Sequence, residues 1–178
     1  HTYTYDANGK LMREEDRYPS GILAAFTNYT YDTNGKLVFK IQSYGAEGDV
    51  KQRTSYTYDI NGRLLKEEFE AYANGIVSGR KTYAYDANGN LVIEELDGVI
   101  VFLFGQTSDA VADGMVDLAH FYTYDSNGNK LTQEMDQNGN GTVDSRTMYS
   151  YDSKGNKLSQ EMDYDVDETV DSRTSYTY

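Results

Sequence analysis

One motif recurs along this chain and constrains it more than any other feature. Tyr-x-Tyr-Asp begins at Tyr3, Tyr29, Tyr56, Tyr83, Tyr122 and Tyr149, and a last Tyr-x-Tyr begins at Tyr176. The starts are spaced 26, 27, 27, 39, 27 and 27 residues apart, so only the fourth interval breaks the rhythm. A fixed period of this length marks a tandem array in which each unit is one supersecondary element that leans on its neighbours. The units run 3–28, 29–55, 56–82, 83–121, 122–148 and 149–175.

Each unit reads as a β-hairpin. Aromatic residues alternate with small polar ones in stretches such as Arg146-Thr147-Met148-Tyr149-Ser150-Tyr151, the period-2 pattern of a half-buried strand. A turn follows at once, at Asn8-Gly9, Asn34-Gly35, Asn61-Gly62, Asn88-Gly89, Asn127-Gly128 and Lys154-Gly155. Asn-Gly tolerates the positive φ that tight hairpin turns demand, and the preceding Asp can accept hydrogen bonds from the turn backbone. Return strands start at Leu11, Leu37, Leu64, Leu91, Leu131 and Leu158. The last two units carry one more residue between Asp and Leu, which predicts a longer turn or a bulge there. The expected fold is all-β: tandem antiparallel hairpins in one continuous, twisted or coiling sheet. The paired tyrosines would stack on those of neighbouring units and form its core. Residues 97–108 are the insertion, and their apolar run 99–104 predicts either an extra strand on the sheet or a subunit contact.

Tyr-Thr-Tyr-Asp-x-Asn-Gly-x-Leu resembles the YD repeat of Rhs-type proteins, over nearly the whole chain and six times over. That resemblance implies continuous antiparallel sheets. In toxin-carrying relatives they wind into a hollow shell around a toxin, and in others they form part of large cell-surface or secreted proteins. It also links such repeats to carbohydrate binding.

Composition narrows the partners. The formal charge is −13, which speaks against nucleic acid and against anionic membrane surfaces. No apolar run approaches the roughly 20 residues of a spanning helix, so membrane insertion is not expected. The chain has 18 Tyr but no Cys, so no disulfide framework holds it and any further staple must be of another kind.

The acidic loops at the far ends of the hairpins suggest a cation. Asp136, Asn138, Asn140, Thr142 and Asp144 form one loop, and Asp163, Asp165, Asp167, Thr169 and Asp171 form the next. Both place side-chain oxygens at relative positions 1, 3, 5 and 9 of a loop like that of an EF-hand, a pattern suited to calcium. Gly141 stands at position 6, where the chain must turn sharply, and Glu168 replaces it in the second loop. Thr147 and Thr174 stand where a bidentate Glu belongs, so further oxygens must come from water or from Glu134 and Glu161, and affinity should be weak, roughly 10⁻⁴–10⁻³ M. A third candidate comprises Asp109, Asp113 and Asp117. The corresponding loops 16–24, 43–51 and 70–78 keep only Asp16, Glu47 and Glu70 and read as ordinary turns.

Nothing resembles catalytic machinery. His1 and His120 lie in no ligand spacing, no glycine-rich phosphate loop opens a helix, and carboxylates fall in repeat positions. Arg53, Arg80, Arg146 and Arg173 recur once per repeat, as architectural residues do. The expected function is a structural extracellular scaffold of bacterial type, a stalk, shell or filament segment rigidified by calcium, and not an enzyme. An adhesin module binding glycans through tyrosines and a fragment of a toxin-encapsulating shell are the alternatives. Both ends lie in the same phase of the repeat without a cap, so the expected partners are flanking repeats of a longer array or other copies of the chain in a head-to-tail filament.

Overall fold

The computed structural model describes residues 1–44, 50–71, 75–98 and 112–178. The apolar run at 99–104 and Asp109 lie outside the described residues. Among the described residues the regular structure is entirely strand: β1 (Thr2–Tyr5), β2 (Leu11–Arg17), β3 (Leu23–Tyr31), β4 (Leu37–Tyr44), β5 (Val50–Tyr58), β6 (Leu64–Ala71), β7 (Gly79–Tyr85), β8 (Leu91–Gly98), β9 (Leu118–Tyr124), β10 (Lys130–Asp136), β11 (Ser145–Tyr151), β12 (Lys157–Asp163) and β13 (Ser172–Ser175). They form a single 13-stranded sheet in sequence order, as tandem hairpins require. No helix among the described residues is long and apolar enough to cross a membrane. Contacts group the chain into two compact units, His1–Arg80 with Gly98–Ala112, and Lys81–Asp97 with Asp113–Tyr178.

The turns are built alike in both units. In the first, Asp6 N–H donates to the Lys10 carbonyl at 2.8 Å and Gly9 N–H returns to the Asp6 carbonyl at 3.1 Å. In the second, Asp125 N–H donates to Asn129 O at 2.9 Å and Gly128 N–H to Asp125 O at 3.1 Å. Glycine alone takes the left-handed conformation here, with Gly128 at φ 83°, while the preceding Asn stays at negative φ. That differs from the doubly positive mirror-image turn and matches a type I turn closed by a left-handed glycine. Each Asp then braces its own turn: Asp125 Oδ1 accepts from the backbone of Asn127 and Asn129 at 2.8 and 2.9 Å, and Oδ2 from the Asn129 side-chain amide at 2.8 Å.

The bulge expected of the last two units is instead a property of the repeat. Tyr5 faces Leu11, Tyr31 faces Leu37, Tyr58 faces Leu64, Tyr124 faces Lys130 and Tyr151 faces Lys157. In each case pairing resumes two residues on, which leaves Met12, Val38, Leu65, Leu131 and Leu158 as the unpaired extra residue. Counted from the turn Asp, Lys130 occupies the place of Leu11. The return strand therefore opens at Lys130 and Lys157 rather than at Leu131 and Leu158, and no unit has a longer turn.

The tyrosines form a half-buried face rather than a closed core. Among the described residues Ala119 is the one buried apolar side chain, and the other buried side chains are polar: Thr27, Ser43, Thr54, Asp97, Asp136 and Asp163. The rings are covered by cations from neighbouring positions. Lys10 lies 5.2 Å from the Tyr31 ring centre, Lys36 5.5 Å from Tyr58, Lys130 4.5 Å from Tyr122, and Lys157 5.4 and 5.0 Å from Tyr149 and Tyr176. Each such contact is worth about 0.5–1 kcal/mol at an exposed site. Burial and a 2.8 Å hydrogen bond to Glu14 push the Tyr29 hydroxyl up to about 12.

Successive hairpins are stapled by the second tyrosine of the motif. Its hydroxyl donates to the first carbonyl of the preceding return strand: Tyr31 to Leu11 O at 2.9 Å, Tyr58 to Leu37 O at 2.9 Å, and Tyr124 to Leu91 O at 2.8 Å. Three of the four recurring arginines join hairpins as well, while Arg53 pairs with Glu70 within its own hairpin at 3.7 Å. Arg80 pairs with Glu68 at 3.0 Å, Arg146 with Glu134 at 2.7 Å and Arg173 with Glu161 at 2.9 Å. These pairs are partly solvated and contribute modestly.

Candidate metal centre

At the end of the sheet away from the Asn-Gly turns, the return strands of the second unit carry a buried carboxylate at or next to their last residue. Asp97 is 6% exposed, and Asp136 and Asp163 are each 2% exposed. Each stands eleven residues after its turn aspartate, Asp86, Asp125 or Asp152. Each accepts, through Oδ2, the backbone N–H of one loop residue: Gly114 at 3.1 Å, Gly141 at 2.7 Å and Glu168 at 3.2 Å. The three loops are thus variants of one construction.

The loop 136–144 is closed by its own hydrogen bonds. Asp136 Oδ1 accepts from Asn138 N at 3.3 Å and Asn140 N at 3.2 Å, beside the Gly141 bond to Oδ2. Asn138 Oδ1 accepts from Asn140 N at 3.1 Å, Asn140 Oδ1 from Thr142 N at 2.7 Å, and Asp144 Oδ2 from Gln137 N at 2.7 Å. Burial pushes the Asp136 carboxyl up, but N–H donors from Gly141, Asn138 and Asn140 outweigh it and hold the group below the usual carboxylate range. Gly139 is required by close approach as well as by its φ of 64°, because a Cβ there would run into the main chain of Val116 and Asp117.

The loop 163–171 repeats the trace with different chemistry. Tyr164 N–H donates to Asp171 Oδ2 at 2.7 Å, as Gln137 does to Asp144. The places of Gly139 and Gly141 are taken by Val166 and Glu168, which hold φ of 56° and 71°, the only described non-glycine residues at positive φ. One carboxylate oxygen each from Asp163, Asp165 and Asp171 lies within 4.8 Å of the others. Asp167 does not join them: the Thr169 hydroxyl and backbone N–H both donate to its Oδ1 and lower its pKa. Thr169 is thereby turned to Asp167.

Two expected ligands are otherwise engaged. Glu134 and Glu161 are held in the ion pairs with Arg146 and Arg173 described above. In the third loop Asp113 Oδ1 accepts from Met115 N at 2.9 Å, and Asp117 N–H donates to Leu96 O at 2.7 Å. The carboxylate that matches Asp136 and Asp163 there is Asp97, which the sequence did not single out; Asp109 lies outside the described residues. The signal for Asp97 was the spacing of eleven residues from Asp86, hidden because the insertion separates it from Asp113.

Fold and repeated loops together define an open, single-sheet array of β-hairpin repeats. No family model matches the chain, and no curated protein does. Solved structures do. The TcdB2–TccC3 complex superposes with a TM-score of 0.57 at 18% identity over 99% of this chain and 11% of that one. A TcdB2–TccC3–TEV structure gives 0.56 at 18% identity over 100% and 10%, and the Tc holotoxin pore of Photorhabdus luminescens carrying a TccC3 mutation gives 0.53 at 20% identity over 97% and 9%. At these identities the likeness is one of fold, and the chain spans about a tenth of the length of those proteins.

Proposed function

We propose that this chain is a structural segment of an extracellular scaffold built of YD-type repeats, the wall of a shell rather than a free-standing binding module. The observation that carries the reading is the tyrosine staple. Tyr31, Tyr58 and Tyr124 each tie their hairpin to the preceding one through a main-chain carbonyl, so the second tyrosine of the motif is used to join units. A fold shared end to end with a tenth of far larger Tc toxin chains supports a segment of a long sheet, and favours the shell form over stalk or filament. The adhesin reading is less well supported, because lysines already cover the faces of Tyr31, Tyr58, Tyr122 and Tyr149 that a sugar would need. The scaffold reading assigns no catalytic step to the chain.

Excision of one whole unit, residues 122–148, tests it. In a scaffold the Tyr149 strand takes the place of the Tyr122 strand in phase, and the shortened chain still melts in one cooperative transition. Excising half a unit destroys the phase and the fold. If both excisions are equally tolerated, or if the intact chain is retained on a glycan array through its tyrosines, the scaffold reading is wrong.

A further inference from the structure

We propose that the loop 163–171, and not its neighbour 136–144, is a calcium site, formed by Asp163, Asp165 and Asp171. The inference goes beyond the scaffold role and stands independently of it.

The two loops share a trace and differ in whether they are complete. In 136–144 both oxygens of the buried carboxylate are satisfied by backbone donors, and the positions of Asp165 and Asp167 are held by neutral Asn138 and Asn140, whose side-chain oxygens also cap backbone N–H groups. That loop carries two carboxylates and closes on itself. In 163–171 there are five, Asp163, Asp165, Asp167, Glu168 and Asp171, with no Lys or Arg among them. Asp163 is 2% exposed and its Oδ1 has no hydrogen-bond partner. Arg146, directly opposite Asp163 in the sheet, is already held by Glu134 at 2.7 Å. A buried carboxylate oxygen without a donor is the costly case in protein interiors. The same carboxylate places an oxygen in one cluster with those of two further carboxylates, exposed Asp165 and Asp171.

A divalent cation resolves both the repulsion and the orphaned oxygen. Carboxylate oxygens call for a hard ion, and an exposed loop that offers three of them suits calcium, whose coordination is flexible, better than magnesium, which demands near-ideal octahedral geometry and gives up its water reluctantly. Water completes the remaining positions on the open side.

Tyr164 makes the site readable. It lies within this loop, 59% exposed, whereas the equivalent residue in the other loop is Gln137. Terbium, a luminescent calcium substitute, would be sensitised by an adjacent tyrosine ring. The experiment titrates terbium into the full chain, competes it with calcium, and repeats this on Asp165→Asn and Tyr164→Phe. Asp165 is the ligand of choice because the loop's backbone bonds go to Asp163, Asp167 and Asp171, so the substitution leaves the loop's framework in place. The expected result is saturable emission displaced by calcium, an affinity at least about tenfold weaker in Asp165→Asn through loss of a charged ligand, and loss of most emission in Tyr164→Phe with the calcium-induced rise in melting temperature retained. Emission indifferent to both substitutions would place the ion elsewhere and overturn the assignment. So would the absence of any calcium-dependent emission change or melting shift up to millimolar ion.

Discussion

The hydroxyl of Tyr124 donates to the carbonyl oxygen of Leu91 at 2.8 Å, a bond that spans 33 residues of sequence and joins one hairpin to the next. Every hairpin has its own cross-strand ladder, but this bond exists only when two units are in register. Removing it by Tyr124→Phe leaves the ring in place and the carbonyl without its donor. The expected loss is about 0.5–1.5 kcal/mol, the net contribution of one such hydrogen bond. Tyr5→Phe, at a hydroxyl with 57% of its residue exposed, should change stability by no more than a few tenths. Thermal melts of the two variants side by side check this.

The turn glycine gives a second contrast. Gly128 has a φ of 83°, and Lys130 opens the return strand with its ammonium 4.5 Å from the Tyr122 ring centre. Gly128→Val forces a β-branched residue into the left-handed region, at a cost of about 1–3 kcal/mol. Lys130→Val loses the ring contact, about 0.5–1 kcal/mol, but gains a residue suited to strands. The glycine variant should melt lower. Equal losses would mean that the turn backbone is other than described.

Stability should depend on acid in a definite direction. The Asn129 side-chain amide holds Asp125 below the usual carboxylate range, Asn156 and Asn90 do the same for Asp152 and Asp86, and backbone N–H donors from Lys10 and Arg63 depress Asp6 and Asp59. A carboxylate with a folded pKa below its unfolded value of about 3.9 contributes stability that is whole above that pH and is lost as the pH falls through the lower folded value. The melting temperature should therefore be level near neutrality and fall steeply below about pH 4. Asp125→Asn retains one acceptor oxygen and cannot titrate, so its melting temperature should fall less steeply over the same window. An acid limb as steep as that of the parent chain would remove Asp125 from the account.

Much of this was legible in the residues because local chemistry set it. The Tyr-x-Tyr alternation gave strands, Asp with Asn-Gly gave turns, and equal spacing put neighbouring units side by side. What depended on counting from the right landmark was less visible. Matching Leu131 to Leu11 suggested an extra residue in the last two units, whereas counting from Asp125 and Asp6 shows none and reveals the bulge as common property. In the third loop the sequence reading began at Asp109, which lies outside the described residues, and it passed over Asp97, whose carboxylate accepts from Gly114 N–H as Asp136 and Asp163 accept from their own loops. The tyrosine staples were not legible at all: a hydroxyl reaching a main-chain carbonyl in the preceding unit depends on strand order and register, which composition and periodicity leave open.

The two loops at the end of β10 and β12 should respond in opposite ways to exchange of their residues. Val166 and Glu168 stand at φ 56° and 71°, where Gly139 and Gly141 stand at 64° and 83°. A residue with a Cβ in that region carries roughly 1–2 kcal/mol of strain, and glycine removes it while losing about 0.5–1 kcal/mol through the flexibility of the unfolded chain. Glu168→Gly also takes one of five carboxylates out of the loop, so both effects point the same way in the absence of divalent ion. The variant should gain up to about 1 kcal/mol, or about 2–4 °C for a chain of this size. Gly139→Val in the other loop should do the reverse and more, because its Cβ would occupy the space of the Val116 carbonyl and force main chain apart. Melting curves recorded in chelator separate the two. A Glu168→Gly chain that melts below the parent would show that the left-handed conformation at 168 is held by contacts of the glutamate itself, and a Gly139→Val chain that melts with the parent would show that the loops are not pressed together at Val116.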